Sequence, residues 1–155
     1  MGLSRKEAET LSLQFRQEYL REDRWHAFGD SIATLSSLNE RGYLNVVASN
    51  HVPELQDLTV ALGIREHVLA VYSSADIGYE KPARQFFRHI LDDLKVDPSQ
   101  CVMIGDSYTA DVAGALRIGI PAILVRTNNE KGYLHHAADL SAASDLILQG
   151  FDQRA

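Results

Sequence analysis

Four short apolar runs, each separated from the next by a helical pattern, constrain this chain more than any other feature. They cover residues 43–48, 68–72, 101–104 and 120–125, and each is too short for anything but a buried strand. Pro53 suits the first turn of a helix that continues to Gly63. Pro82 opens a second helix, with Phe86, Phe87, Ile90, Leu91 and Leu94 at helical spacing. A third runs from the glycine turn at Gly105 to Ile118 and stops at Gly119. Strands alternating with helices of this length predict parallel pairing through right-handed crossovers. The expected architecture is therefore α/β: a Rossmann-like, doubly wound parallel sheet in a three-layer sandwich.

Ahead of this region the pattern is purely helical. Residues 4–22 read as one amphipathic helix, opened by a capping box of Ser4 and Glu7, with Ala8, Leu11, Phe15 and Tyr19 as its apolar stripe. Such a stripe predicts packing against the domain or a neighbour. Residues 25–30 form a connection, and Asp30 or Ser31 caps a second helix through Leu35 and Leu38 that ends near Gly42. Beyond Asn128 a short strand near Ala138 and a helix near Asp145 are expected. No repeat or low-complexity segment interrupts the chain.

The 155 residues suit one domain. A net charge of −6, spread along the sequence, argues against nucleic acid or an anionic membrane as the main partner. No apolar run approaches the ~20 residues of a membrane span. The N-terminus lacks the apolar core of a signal peptide, and the single Cys101 excludes an intrachain disulfide. Cytoplasm is the expected compartment.

Chemistry concentrates where the strands end. In an open α/β sheet that edge binds ligands. Asp106 leaves the third strand and Asp111 follows five residues later, in Gly105-Asp106-Ser107-Tyr108-Thr109-Ala110-Asp111. Paired carboxylates there suit Mg²⁺, which takes one or two of them and completes its shell with water or phosphate. Asp111 also suits a helix N-terminus by charge alone. Ser49-Asn50, after the first strand, offers a hydroxyl and backbone N–H groups to an anion, or merely satisfies a turn. Lys81-Pro82 places a cation before a helix, useful against phosphate and carboxylate charge, or simply an exposed lysine. Gly114 would permit close helix packing. His26, His51, His67, His89 and the pair His135-His136 lack metal-ligand spacing, and Asp76 and Glu80 read as solvated loop charges.

Taken in order, strand-Ser-Asn, Gly-x-x-Lys-Pro and strand-Gly-Asp-Ser-x-x-x-Asp-Val-x-Gly-Ala resemble the haloacid dehalogenase superfamily, specifically its phosphatase-like branch with a helical cap. The likeness runs from about Asp30 to Val125. It implies that Ser49, with Asn50 beside it, binds phosphate and that Lys81 balances charge. It further implies that Asp106 ligates Mg²⁺ and that Asp111 is a ligand or a partner behind one. Dehalogenases proper generally lack the acidic pair, so Mg²⁺-dependent hydrolysis of a small phosphorylated molecule is the implied activity.

The family opens on a central strand ending in Asp-x-Asp, whose first aspartate attacks phosphorus, and this chain has no such motif. Asp23 and Asp30 are the only aspartates before Ser49. Asp30-Ser31-Ile32-Ala33-Thr34 lacks the second aspartate and follows no buried strand, so residue 30 is taken as the re-entry from cap to core. Residues 1–29 would be a cap remnant and hinge, and 30–155 a core lacking its first strand. Two inner edges should then pair with each other, take a strand from a homo-dimer mate or companion chain, or stay open. Three readings follow: a hydrolase core inactive alone, a non-catalytic phosphate- or Mg²⁺-binding or interaction module, and, ranked last, a phosphoryl-accepting receiver-type domain. The last expects acidic residues around 43–50, which are absent.

Overall fold

A computed structural model describes residues 2, 4–19 and 21–150. Helix α1 spans Arg5–Tyr19. The capping box forms: the Ser4 hydroxyl donates to Glu7 at 2.6 Å, and the Ser4 N–H does so at 2.8 Å. Expected as one helix to residue 22, the segment instead breaks after Tyr19 and resumes as a 3₁₀ turn at Glu22–Arg24. Ala8 and Leu11 of the predicted stripe are exposed, and the side chain of Phe15 lies outside the described residues. Near its C-terminal end the helix meets the core, where Arg16 pairs with Glu54 and the Tyr19 hydroxyl hydrogen-bonds the His51 ring.

Helix α2 covers Ser31–Glu40 and strand β1 Val46–Ser49, followed by α3 at Leu55–Ala61 and β2 at Ala70–Ser73. A short α4, Ser74–Ile77, leads to α5, Arg84–Leu94. Strand β3 is Met103–Gly105, so Cys101 stands just outside it. A π-helical turn, Tyr108–Val112, runs into α6, Ala113–Leu116. Then come β4 at Ala122–Val125, β5 at His136–Ala137 and α7 at Leu140–Leu148.

All pairing among the described strands is parallel, in two pieces. β1 pairs with β2, and β3, β4 and β5 pair in that order. β1 and β3 are not hydrogen-bonded to each other. No described residue pairs with β1 or β3 on the sides that face each other, and residues 5–19 form a helix. Exposure follows the break. Every residue of β4 is buried, whereas β1 and β3 are only half-buried along their whole length.

Layering is set by the alternation of side chains along each strand. Ala122 and Leu124 of β4 face a cluster built by Phe86, Phe87, Ile90 and Leu91 of α5 with Val112 and Ala115. That cluster also holds Tyr72 and packs on Val46, Ala48 and Met103, so one helical layer spans both half-sheets. Ile123 and Val125 face the opposite cluster, with Ala143 of α7. On this side α2 packs against α7 and against the 3₁₀ turn Arg65–His67. No described helix is long and apolar enough to cross a membrane.

Candidate active site at the break in the sheet

The site forms where β1 and β3 deliver their C-terminal ends. Lys81 reaches it from the loop before α5. Its ammonium donates to the Ala48 carbonyl of β1 at 2.8 Å and to Asp111 Oδ1 at 2.6 Å. Both side chains are buried, with 9% and 6% of their surface exposed. An unpaired charge at that depth would cost several kcal/mol, on the order of 3–5; here each neutralises the other. The second Asp111 oxygen accepts the Ser107 N–H at 2.9 Å.

Local sequence explains how Asp111 arrives there. Ser107 caps the π-helical turn, its hydroxyl accepting from the Ala110 N–H at 3.1 Å. The turn carries Asp111 back over Gly105, where a built Cβ would lie 2.2 Å from Asp111 Oδ2. Only glycine leaves room for the carboxylate. Gly114 likewise lets α6 approach Phe87 and Pro82, a Cβ there falling 2.8 Å from the Phe87 ring.

Asn50 pins the lysine loop. Its amide donates to the Lys81 carbonyl at 2.9 Å, and its oxygen accepts the Lys81 N–H at 2.7 Å. The Asn50 side chain is thus committed to the protein, and Ser49 is the β1 residue left with a free hydroxyl among the described residues. Neither residue caps α3, whose N-cap is Glu54, so the expected helix N-terminus directly after Ser49-Asn50 begins further on. Asp106 is exposed and makes no hydrogen bond or ion pair to any described residue. The structure therefore joins Asn50, Lys81 and Asp111 directly, with Ser49 and Asp106 at the two strand ends beside them.

Other residues missed in the sequence reading hold the loop after β1. Ser73, almost wholly buried, donates to the His51 carbonyl at 2.6 Å and accepts from the Ala75 N–H. Ser74 accepts the His51 N–H at 3.1 Å. The His51 ring packs with Tyr19 and Trp25, and the Trp25 indole donates to the Tyr19 carbonyl at 2.6 Å. A Ser-Ser pair at the end of a strand was the available signal; the aromatic cluster had none. Asp76 and Glu80 are exposed, as expected.

Asp30 makes no hydrogen bond to Ser49, Asn50, Lys81, Asp106 or Asp111, and its side chain does not cap its own helix α2. It pairs with Arg126 and accepts the Leu140 N–H at 2.9 Å and the Ser141 N–H at 3.2 Å at the start of α7. Burial pushes its pKa up, but the Ser141 N–H, the Arg126 guanidinium and the Leu140 N–H together outweigh this and hold it below the usual carboxylate range.

No group of three or more histidine, cysteine, aspartate or glutamate side chains among the described residues could enclose a metal. The donor set suits a hard cation bound by one carboxylate, Asp106, that keeps water or phosphate oxygens in its remaining positions.

Comparison with known proteins shows the family. The family model described as haloacid dehalogenase-like hydrolase matches residues 2–119. Haloacid dehalogenase-like hydrolase domain-containing protein 3 of Mus musculus is 34% identical over 101 residues, covering 65% of this chain and 40% of that protein. A glyceraldehyde 3-phosphate phosphatase of Methanothermobacter thermautotrophicus is 33% identical, covering 64% and 45%. The chain thus spans less than half the length of these relatives. Among solved structures, a HAD phosphatase from Thermococcus onnurineus superposes with a TM-score of 0.70 at 25% identity, covering 80% of this chain and 58% of that one. A predicted phosphoglycolate phosphatase from Haemophilus somnus shares the fold with a TM-score of 0.77 at 18% identity, covering 95% and 68%. By the extent of the family match, the chain belongs to the haloacid dehalogenase-like hydrolases.

Proposed function

We propose that this chain is the phosphate- and Mg²⁺-binding core of a phosphomonoesterase acting on a small phosphorylated molecule, and that alone it binds phosphate without turning it over. The observation that carries this reading is the buried Lys81–Asp111 pair beside an unpartnered Asp106 at the sheet break. Curated relatives that include a glyceraldehyde 3-phosphate phosphatase and a phosphoserine phosphatase support the reaction class.

Each residue takes one role. Ser49 offers its hydroxyl to a phosphate oxygen. The Lys81 ammonium has three N–H donors, two of which the protein uses; the third faces the substrate's charge. Asn50 positions Lys81 through two backbone hydrogen bonds and does not touch the ligand. Asp106 holds Mg²⁺, which when bound neutralises phosphate charge. With both its oxygens engaged, Asp111 acts as the partner that fixes Lys81, the second of the two roles expected for it. The segment of α1 and the turn after it acts as a cap element, resting on His51 through Tyr19 and Trp25.

No carboxylate among the described residues occupies the position between β1 and β3 from which phosphorus would be attacked, and covalent catalysis needs such a group in line. Assaying a generic phosphomonoester with and without Mg²⁺, beside Asp106→Asn, tests this. No turnover by either protein is expected. Mg²⁺-dependent turnover lost in Asp106→Asn would place the attacking group within the chain and overturn the inactive-core reading. The same scaffold as a non-catalytic interaction module would show neither turnover nor phosphate binding.

A further inference from the structure

A cavity of about 340 Å³ opens between the C-terminal end of α1 and the 3₁₀ turn that follows it. Among the described residues, Glu18, Tyr19, Arg24 and Trp25 line it. That volume falls in the range of small-molecule sites, about 300–1,000 Å³. Tyr19 and Trp25 both touch the His51 ring, with centroids 5.3 and 5.5 Å from it. His51 stands two residues from Ser49, so their Cα atoms are at most about 7–8 Å apart. Its backbone is fixed: the carbonyl accepts the Ser73 hydroxyl at 2.6 Å, and the N–H donates to the Ser74 hydroxyl at 3.1 Å. A group esterified to a phosphate at Ser49 can therefore reach the cavity past His51.

The walls decide what kind of group fits. The Trp25 indole N–H is spent on the Tyr19 carbonyl at 2.6 Å, and the Tyr19 hydroxyl on the His51 ring at 3.3 Å. These side chains thus offer a ligand their rings and not their polar ends. The two rings stand at 82° with centroids 5.1 Å apart. A planar ring stacked on one of them meets the other edge to face, and the aromatic quadrupole favours both arrangements. A puckered aliphatic group of the same size gains the burial without that attraction. On the rim, Glu18 pairs with Arg24 at 3.2 Å and with Arg21 at 3.3 Å, and Arg21 also holds Asp23 at 2.7 Å. The guanidiniums and carboxylates cancel there, so the rim selects no charge.

We propose that the phosphorylated molecule carries an uncharged aromatic ring on its alcohol side, held by Tyr19 and Trp25 in the cavity beside His51. The inference rests on the functional reading above, in which Ser49 and Lys81 take the phosphate, and adds the class of alcohol.

Trp25 is the single tryptophan, so its emission reports on the cavity directly. The test titrates the full chain, in Mg²⁺, with two non-hydrolysable probes of equal carbon number, benzylphosphonate and cyclohexylmethylphosphonate. Expected is a saturable change in emission with benzylphosphonate, and an affinity about fivefold above that of the cyclohexyl probe, as for one aromatic pair. Calorimetry repeats the comparison in Trp25→Leu, where the ratio should fall to about one, and in Trp25→Phe, where it should persist. Equal affinities in the wild type, an unmoved emission, or a preference that survives Trp25→Leu would each overturn the aromatic site. The wild-type ratio decides by itself should Trp25→Leu fail to fold. Orthophosphate is titrated alongside. If it binds while the two phosphonates do not differ, the aromatic site falls and the functional reading stands. If it does not bind while benzylphosphonate still moves the emission and outbinds the cyclohexyl probe, the functional reading falls and the aromatic site stands.

Discussion

At the scale of single residues, the site rests on one ion pair and the glycine beneath it. Gly105→Ala would drive a methyl group into Asp111, whose Oδ2 lies 2.2 Å from that position. Overpacking of this kind costs about 1–3 kcal/mol, and it should also displace the partner of Lys81. We expect a lowered urea midpoint and a loss of phosphate binding together in this variant. Asp111→Asn keeps the shape but strands a buried ammonium; a loss of about 3–5 kcal/mol is expected for a broken buried pair, read from the same denaturation experiment. An unchanged midpoint would mean that Lys81 is solvated, contrary to its burial. The pairing itself could not be read from the sequence. Asp111 and Lys81 are thirty residues apart, and spacing alone left Asp111 equally suited to a metal or to a helix terminus.

At the scale of elements, the strands were legible and the ties between elements were not. Residues 120–125 are apolar because β4 is central and covered on both sides, and that signal survives in any sequence. The capping box of α1 was legible because it is local. Asp30 was readable only as a local cap, yet its partners are Arg126 and the first N–H groups of α7. Asp30→Asn should therefore detach α7 from the start of α2, at a cost of about 1 kcal/mol, as for other lost caps. The pH dependence has a definite sign. Because the folded pKa lies below the unfolded value, near ~3.9, the contribution is complete above that value. It is lost as pH falls through the folded pKa. Urea unfolding should separate wild type from Asp30→Asn equally at neutral and mildly acidic pH, and the gap should close below about pH 4. A gap that persists there would show that the carboxylate charge is not what holds α7.

At the scale of the whole molecule, two half-sheets are joined without backbone pairing between β1 and β3. Among the described residues, the ties across the break include the shared cluster under α5, the packing of α2 on α7 with the bonds of Asp30, and the Lys81 ammonium. The described strands form two sheets, β1-β2 and β3-β4-β5, and Lys81 brings the ends of β1 and β3 together. Ligands of open α/β sheets bind outside the C-terminal ends of the strands, where this junction lies. The sequence announced the break through a motif it lacked, while the ties that keep the halves together are tertiary and left no pattern. Backbone amides of β1 and β3 should exchange faster than those of β4 in the isolated chain, by hydrogen exchange under native conditions. Uniform protection across all three would mean that the halves close on each other in solution.

The central question is whether the strand ends bind phosphate. Calorimetric titration of the purified chain with orthophosphate in Mg²⁺, wild type beside Asp106→Asn, measures this. Saturable binding that is lost without Mg²⁺ or in the variant is the predicted result. Absence of binding in the wild type, or equal binding by both proteins, would contradict it.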